Sequence, residues 1–285
     1  MPYERDRTTM RRFALCSNCQ REFDLPEDRR FHAEINACPD CGPRWWCRDK
    51  SGRMVANHGE ALHAAAATIR RGEIVALQGL GGYQLIVDAT SEAAVRRLRN
   101  CKHRSGRPFA VMVASLDEAR RLARCDVVEC QSLRSPAGPI VVLKQQAATH
   151  IASAVSPGLD TLGIMLPTTP MHSLFLNICQ RPLVITSGNR EGNPLEFEHE
   201  GASSRLTDMA DLWLEHDRPI RRPVDDSVVR IIAGRVAVLR LARGFAPLPL
   251  EVQSPTPLLA VGGHQKAAVA LSNGEQAVLG PHVGD

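Results

Sequence analysis

The 285-residue chain carries 35 Lys and Arg against 31 Asp and Glu, is 44% hydrophobic and only 4% aromatic, and holds nine cysteines. A net charge of +4 is too small to imply nucleic-acid binding by charge alone, and no segment approaches the run of about 18 apolar residues that suggests a membrane span. No apolar signal core precedes the cysteines, so thiols that bind metal or lie buried in a reducing cytoplasm are expected, not disulfides.

The first fifty residues are polar, rich in Arg and Cys, and lack hydrophobic periodicity, so something other than an apolar core must hold them. Cys16-Ser-Asn-Cys19 and Cys38-Pro-Asp-Cys41 are two C-x-x-C knuckles 18 residues apart. That spacing suits four thiolates closing on one tetrahedral zinc, with no position left open for a substrate. The rival is a redox dithiol, which lacks the strand-to-helix setting such a motif uses. His32, between the knuckles, is expected at the surface or in packing. Gly42 is expected in a turn of positive φ. Cys47, Cys101, Cys125, Cys130 and Cys179 show no partner spacing and read as buried thiols.

From about Gly59 the texture changes. Ala61 to Arg71 reads as an amphipathic helix, followed by strands over Glu73 to Leu80 and Gln84 to Ala89. Ser91 opens a helix, Phe109 to Ala114 is strand-like, and Ser115 begins a helix with Asp117 and Glu118 in its first turn. Ile140 to Leu143, Leu162 to Leu166 and Leu183 to Thr186 follow as strands, with a helix after Pro170. Val228 to Ile232 and Val236 to Leu241 read as a hairpin. The alternation predicts an α/β sheet. Four prolines between Pro247 and Pro257 mark a linker, and two short strand-like pieces come after it.

Four stretches of this second region carry chemistry. Lys102, Arg104 and Arg107 set three cations within six residues, a site for phosphate or a small anion, or else a solvated helix end. Thr186-Ser187-Gly188-Asn189 follows an apolar strand, where backbone amides and hydroxyls approach an anion closely. Gly79 to Gly82 is a glycine turn that does not fit the dinucleotide fingerprint. Asp225 and Asp226, with Arg243, suit a magnesium ion, a cationic neighbour or a phosphate, and an exposed turn is the plain alternative.

In order along the chain, these stretches resemble the hydrogenase-maturation carbamoyltransferase family known as HypF. Tyr3 to Met10, Cys16-x-x-Cys19, Asp28 to Ala33 and Cys38 to Pro43 look like that family's second zinc finger. Lys102 to Arg104 and Arg107 to Met112 resemble the anion-binding motif of its YrdC-like domain. Gly163 to Pro167, Thr169 to His172, Thr186 to Asn189, Asp225 to Arg230 and Arg243 to Pro247 continue it. Gly262 to Lys266 and His282 to Asp285 look like the opening of its actin-like, Kae1-like transferase domain.

The resemblance implies an α/β (α+β) architecture: a four-cysteine zinc-finger module over 1–55, a YrdC-like twisted open sheet with helices over 56–250, and a linker with the first strands of the Kae1-like domain over 251–285. It implies an ATP-dependent carbamoyltransferase that forms carbamoyl adenylate from carbamoyl phosphate and ATP. The carbamoyl group then passes to the C-terminal cysteine of a HypE-type partner on the way to the cyanide ligands of nickel–iron hydrogenase. Lys102 and Arg104 are carried over as catalytic binders of anion and carbamate, and Arg107, Thr186, Ser187, Asn189 and Arg243 as substrate or nucleotide contacts. Arg107 stands where the family has lysine, which keeps the charge and changes the geometry. Structural zinc and ATP with Mg2+ are the implied cofactors, and the cytoplasm the implied compartment, with neither membrane nor nucleic acid as partner. The roles of Asp225, Asp226 and Lys266 stay open. The family's acylphosphatase-like domain, first zinc finger and most of the transferase domain have no counterpart here, so the chain reads as a truncated piece that would not transfer carbamoyl unaided. Two other readings are a threonylcarbamoyl-adenylate synthase of tRNA modification, using threonine and bicarbonate, and an inactive zinc-stabilised double-stranded-RNA-binding remnant. The zinc knuckles and the 225–230 stretch argue against the first. Scarce aromatics and the small net charge argue against the second.

Overall fold

The structure, a computed structural model, describes residues 4–253, 256–263 and 267–282. Tyr3, Lys266 and the segment 283–285, all named above, lie outside the described residues. In chain order the elements are α1 (Ser17–Asp24), β1 (Trp45–Asp49), β2 (Met54–Asn57), α2 (His58–Arg70), β3 (Val75–Gln78), β4 (Tyr83–Asp88), α3 (Glu92–Lys102) and β5 (Ala110–Met112). Then come α4 (Leu116–Leu122), α5 (Val127–Arg134), β6 (Ile140–Lys144), β7 (Thr161–Met165), α6 (Pro170–Cys179), β8 (Leu183–Ser187), α7 (His199–Arg205), β9 (Leu212–His216), β10 (Val228–Ile232) and β11 (Arg235–Arg240).

The strands form one mixed sheet in the order β11-β10-β6-β7-β5-β8-β4-β3-β9-β1-β2. Side chains alternate across it, as the two-residue period requires. Ala76, Leu85, Val87, Val111, Val141 and Val184 face α3, α4 and α5, whose Val95, Leu98, Leu122 and Leu133 complete that core. Val75, Leu77, Ile86, Met112, Leu183 and Ile185 face the opposite way, onto Leu62, Ala65 and Ile69 of α2 and Met171, Phe175 and Leu176 of α6. Burial on both faces accounts for the near-continuous apolar strands that are legible in the sequence. Ser91, Ser115 and Thr169 cap α3, α4 and α6 by accepting from backbone amides in the first turn, and Asp126 and Glu129 close a capping box on α5.

Two features depart from the reading of the sequence. Strands β1 and β2, which the sequence did not announce, join the large sheet: β1 pairs antiparallel with β9 and carries β2 at the sheet edge. Strand β9 itself was not anticipated. Its Glu215 is fully buried, accepting from both Nε and Nη2 of Arg48 at 2.6 Å and from the Tyr83 hydroxyl at 2.5 Å, with His199 Nδ1 3.3 Å away. Burial raises its pKa, but bonds from His199, Arg48 and Tyr83 outweigh that and hold it at about 2.

A smaller antiparallel sheet of β12 (Leu248–Glu251), β13 (Leu259–Ala260), β14 (Ala270–Ser272) and β15 (Gln276–Leu279) runs in the order β12-β15-β14-β13. Among the described residues no helix is long and apolar enough to cross a membrane.

Candidate functional site

The four knuckle cysteines meet in space. Cys16 caps α1, Cys19 lies in its first turn, and Cys38 and Cys41 come from the loop opposite. Their Sγ atoms all lie within 4.8 Å of one another, with Cys16–Cys38 and Cys38–Cys41 at 3.7 Å. A zinc tetrahedron with Zn–S bonds of about 2.3 Å has edges of about 3.8 Å, so the thiolates fit this ion with no open coordination position. Buried Asn36 braces the cluster by donating to the Cys19 carbonyl. Gly42 is not at positive φ as expected. It is required by close approach, because a Cβ there would lie 2.8 Å from the Cys38 carbonyl oxygen. His32 is a packing residue between Phe23 and Phe31, with φ 51°. Of the remaining cysteines, Cys47, Cys130 and Cys179 are buried, whereas Cys101 and Cys125 are half-buried. Cys125 and Cys130 also lie in contact, Sγ to Sγ 2.7 Å, which their spacing does not announce.

The finger is tied to the body by polar contacts at the end of β9. Arg44 N–H donates to Asp217 and Arg218 donates to Thr9.

A cleft of about 470 Å³ opens on the α2/α6 face of the sheet, beside the start of α6. Its floor is made by Gln84, Ala110, Ile140, Val142, Gly163, Ile185 and Ser187, which the strand register places on one face. Gly163 keeps the floor open, since a Cβ there would meet Ile140 at 2.9 Å. Arg104, Arg107, Arg240 and Arg243 stand around it with Asp225 and Asp226, an excess of positive charge suited to an anionic ligand.

The predicted site residues divide into two layers. Arg104, Arg107, Thr186, Ser187 and Arg243 line the cleft. Lys102 and Asn189 stand behind it, 1% and 5% exposed. Lys102 is the last residue of α3, and His103 leaves the helix in the left-handed conformation, φ 54°. That turn sends Lys102 inward and Arg104 outward. The buried ammonium donates to the Ser187 carbonyl (2.6 Å), the Asn189 carbonyl (2.5 Å) and Asn189 Oδ1 (3.1 Å). Burial, followed by the nearby Arg104, lowers its pKa to about 7. Ser187 Oγ donates to Asn189 Oδ1 at 2.6 Å, so lysine, serine and asparagine form one brace under the loop 187–189.

Arg104 lies over the Phe109 ring, 4.9 Å from its centroid, and donates to the carbonyls of Arg107 and Pro108. Arg99, which the sequence did not single out, packs on the other side of that loop. Its buried guanidinium donates to the carbonyls of Arg104, Arg107, Ala154 and Val155 and fixes the basic segment as a rigid arch. Arg107 Nη1 is 3.4 Å from Glu191. Arg243 donates through Nε and Nη2 to Asp226 Oδ1 and through its two terminal nitrogens to the carbonyls of Ala137 and Gly138. Asp226 therefore orients a cation, and Arg243 braces the wall on which it sits.

The order of these parts along the chain matches known families. The Sua5/YciO/YrdC family model, described as telomere recombination, matches residues 67–242, and the sheet with its cleft is a domain of that class. The HypF finger model matches residues 15–47, and the HypF Kae1-like domain model residues 253–285. The carbamoyltransferase HypF of Rhodobacter capsulatus is 43% identical, covering 100% of this chain and 38% of the relative. That of Synechocystis sp. is 44% identical over 95% of this chain and 42% of its own length. A crystal structure of full-length HypF in the phosphate- and nucleotide-bound form superposes with a TM-score of 0.92 at 37% identity, over 100% of this chain and 37% of that one. T. kodakarensis HypF gives 0.93 at 35% identity and the same coverage. P. abyssi Sua5 complexed with L-threonine, at 22% identity and TM-score 0.58 over 65% of this chain and 55% of its own, shares the fold. The chain belongs to the HypF family, and it spans about two fifths of the length of the curated relatives it matches.

Proposed function

We propose that the cleft forms carbamoyl adenylate from ATP and the carbamoyl group of carbamoyl phosphate, as one step of a HypF-type carbamoyltransferase. The observation that carries this is the cationic cleft itself, in which Arg104 and Arg107 face Thr186 and Ser187 across a floor braced from behind by Lys102 and Asn189. Water first cleaves carbamoyl phosphate, whose bond to phosphate breaks so that inorganic phosphate leaves and carbamate remains, and a carboxylate oxygen of that carbamate is the nucleophile. It bonds to the α-phosphorus as the bond from that phosphorus to pyrophosphate breaks, and the electron pair leaves with pyrophosphate. No enzyme nucleophile is needed. Fixed guanidinium groups and hydroxyls stabilise the charge that gathers on the transferring and leaving oxygens. Mg2+ would enter with ATP, and zinc would hold the finger.

The division into a finger over 1–55, an adenylate-forming domain over 56–250 and a Kae1-like segment over 251–285 is part of the same proposal. So are cytoplasmic action and a HypE-type partner that receives the carbamoyl group on its C-terminal cysteine. The test is ATP–pyrophosphate exchange with zinc-loaded protein. Exchange that depends on carbamoyl phosphate supports the reading, whereas exchange only with threonine plus bicarbonate would assign the chain to threonylcarbamoyl-adenylate chemistry.

A further inference from the structure

His172, in the first turns of α6, is 1% exposed and uses both ring nitrogens. Nε2 lies 3.0 Å from Gln84 Oε1, and Nδ1 lies 3.2 Å from Thr168 Oγ1. An amide oxygen only accepts, so Nε2 carries the proton and Nδ1 accepts from the threonine hydroxyl. Burial, with Arg243 adding to it, lowers the imidazole pKa to about 4, so the ring is neutral and keeps this tautomer at neutral pH.

The consequence falls on Gln84. With Oε1 held by His172, its amide nitrogen turns from α6 toward the cleft that Gln84 lines. Among the described residues that nitrogen has no hydrogen-bond partner. Gln84 is registered opposite Ser187 across β4 and β8, on the same face of the sheet, which puts their Cβ atoms about 5 Å apart. The rest of the floor, Ala110, Ile140, Val142, Gly163 and Ile185, offers no side-chain donor. Gly79 leaves room for the amide, since a Cβ there would lie 3.1 Å from Gln84 Cδ and Oε1.

We propose that Gln84 Nε2 donates a hydrogen bond to one carboxyl oxygen of the carbamate being adenylated, and that His172 is the positioning residue that sets this amide's orientation. The inference rests on the carbamoyl-adenylate reading above. A neutral donor orients the planar carboxylate without binding it as tightly as a guanidinium would, and leaves the second oxygen free to attack the α-phosphorus. Gln84 thus acts on the carbamoyl donor, and the arginines act on the phosphates.

The test is exchange kinetics on the full chain with carbamoyl phosphate, for wild type, Gln84→Met, His172→Met, the double variant and His172→Gln. Gln84→Met is expected to raise KM for the carbamoyl donor about 10- to 100-fold, the worth of one hydrogen bond to a charged group, and to leave KM for ATP unchanged. His172→Met gives the same split, and the double variant is no worse than Gln84→Met alone, because the second loss is contained in the first. His172→Gln, which still presents a donor to Gln84 Oε1, recovers most of the donor KM. An unchanged donor KM in Gln84→Met, an equal rise for ATP, or additive losses in the double variant overturns the inference. If His172→Met shows no cooperative melt, Gln84→Glu decides beside Gln84→Met: the added carboxylate must raise donor KM further than methionine does. Wild-type protein silent with carbamoyl phosphate overturns the proposed function and this inference together, and that silence is seen before any variant is compared.

Discussion

Lys102→Met removes a buried ammonium and three hydrogen bonds in one change, and the two effects oppose each other. A pKa lowered from 10.5 to about 7 corresponds to a cost of about 5 kcal/mol for holding the charge in that place, at about 1.4 kcal/mol per pH unit. Methionine keeps the stem's volume and removes this cost. It also strips the donor from the Ser187 carbonyl, the Asn189 carbonyl and Asn189 Oδ1, at about 1–3 kcal/mol each, or about 6 kcal/mol in all. The two effects offset each other to within a few kcal/mol, so the melting temperature shifts by no more than about 10 °C for a chain of this size. Activity responds far more. Loop 187–189 loses its anchor, and a displacement of about 1 Å there lowers the exchange rate by about 100-fold. Thermal melts and exchange kinetics on the same preparation read both effects. Normal exchange from a folded Lys102→Met protein refutes the brace, and a melting temperature lowered by more than about 10 °C refutes the offset.

The cysteine cluster predicts a single tightly held zinc, lost in Cys38→Ser and on chelation. Metal analysis with limited proteolysis should show cleavage confined at first to the segment before Trp45, and an unchanged digest would contradict a structural metal. His172 and His216 are both pushed down to about 4, in each case chiefly by burial. Between about pH 6.5 and 4 the unfolded chain therefore binds protons that the folded chain does not, and stability falls as pH drops through that window, by up to about 3 kcal/mol for each histidine. Denaturant titrations that give a flat unfolding free energy over that range would contradict it. Gly188→Ala places a Cβ 2.7 Å from Tyr83 Cβ and 2.8 Å from its carbonyl oxygen. It should cost about 1–3 kcal/mol in a denaturation measurement and lower exchange, and wild-type behaviour in both would show that the loop yields.

What the sequence discloses and what it conceals follow from where each signal resides. The zinc site is legible because two C-x-x-C turns state both the ligand type and the geometry locally. The strands from β3 to β8 are legible because a sheet covered on both faces needs apolar runs. Strand β9 is hidden by Glu215, which reads as surface until Arg48, Tyr83 and His199 are seen to surround it. Strand β1 is hidden in the same way, since its Arg48 supplies that partner. Lys102 and Arg104 look equivalent in sequence, and only the left-handed turn at His103 assigns one to the brace and the other to the cleft. Arg243 reads from the sequence as a phosphate contact, and only the structure shows that Asp226 and the Ala137 and Gly138 carbonyls fix its guanidinium on the cleft wall. Nothing local marks Gln84: its place is set by the β4–β8 register and by a histidine far along the chain.

The central claim, that this cleft makes carbamoyl adenylate, is tested most directly by identifying the product. Zinc-loaded protein is incubated with ATP, Mg2+ and carbon-labelled carbamoyl phosphate, in parallel with labelled bicarbonate plus threonine, and the nucleotide fraction is read by mass spectrometry. The account predicts labelled carbamoyl-AMP from the first mixture, none from the second, and none from an Arg104→Ala protein. Labelled threonylcarbamoyl-AMP, or AMP derivatives that never take up the label, would contradict it.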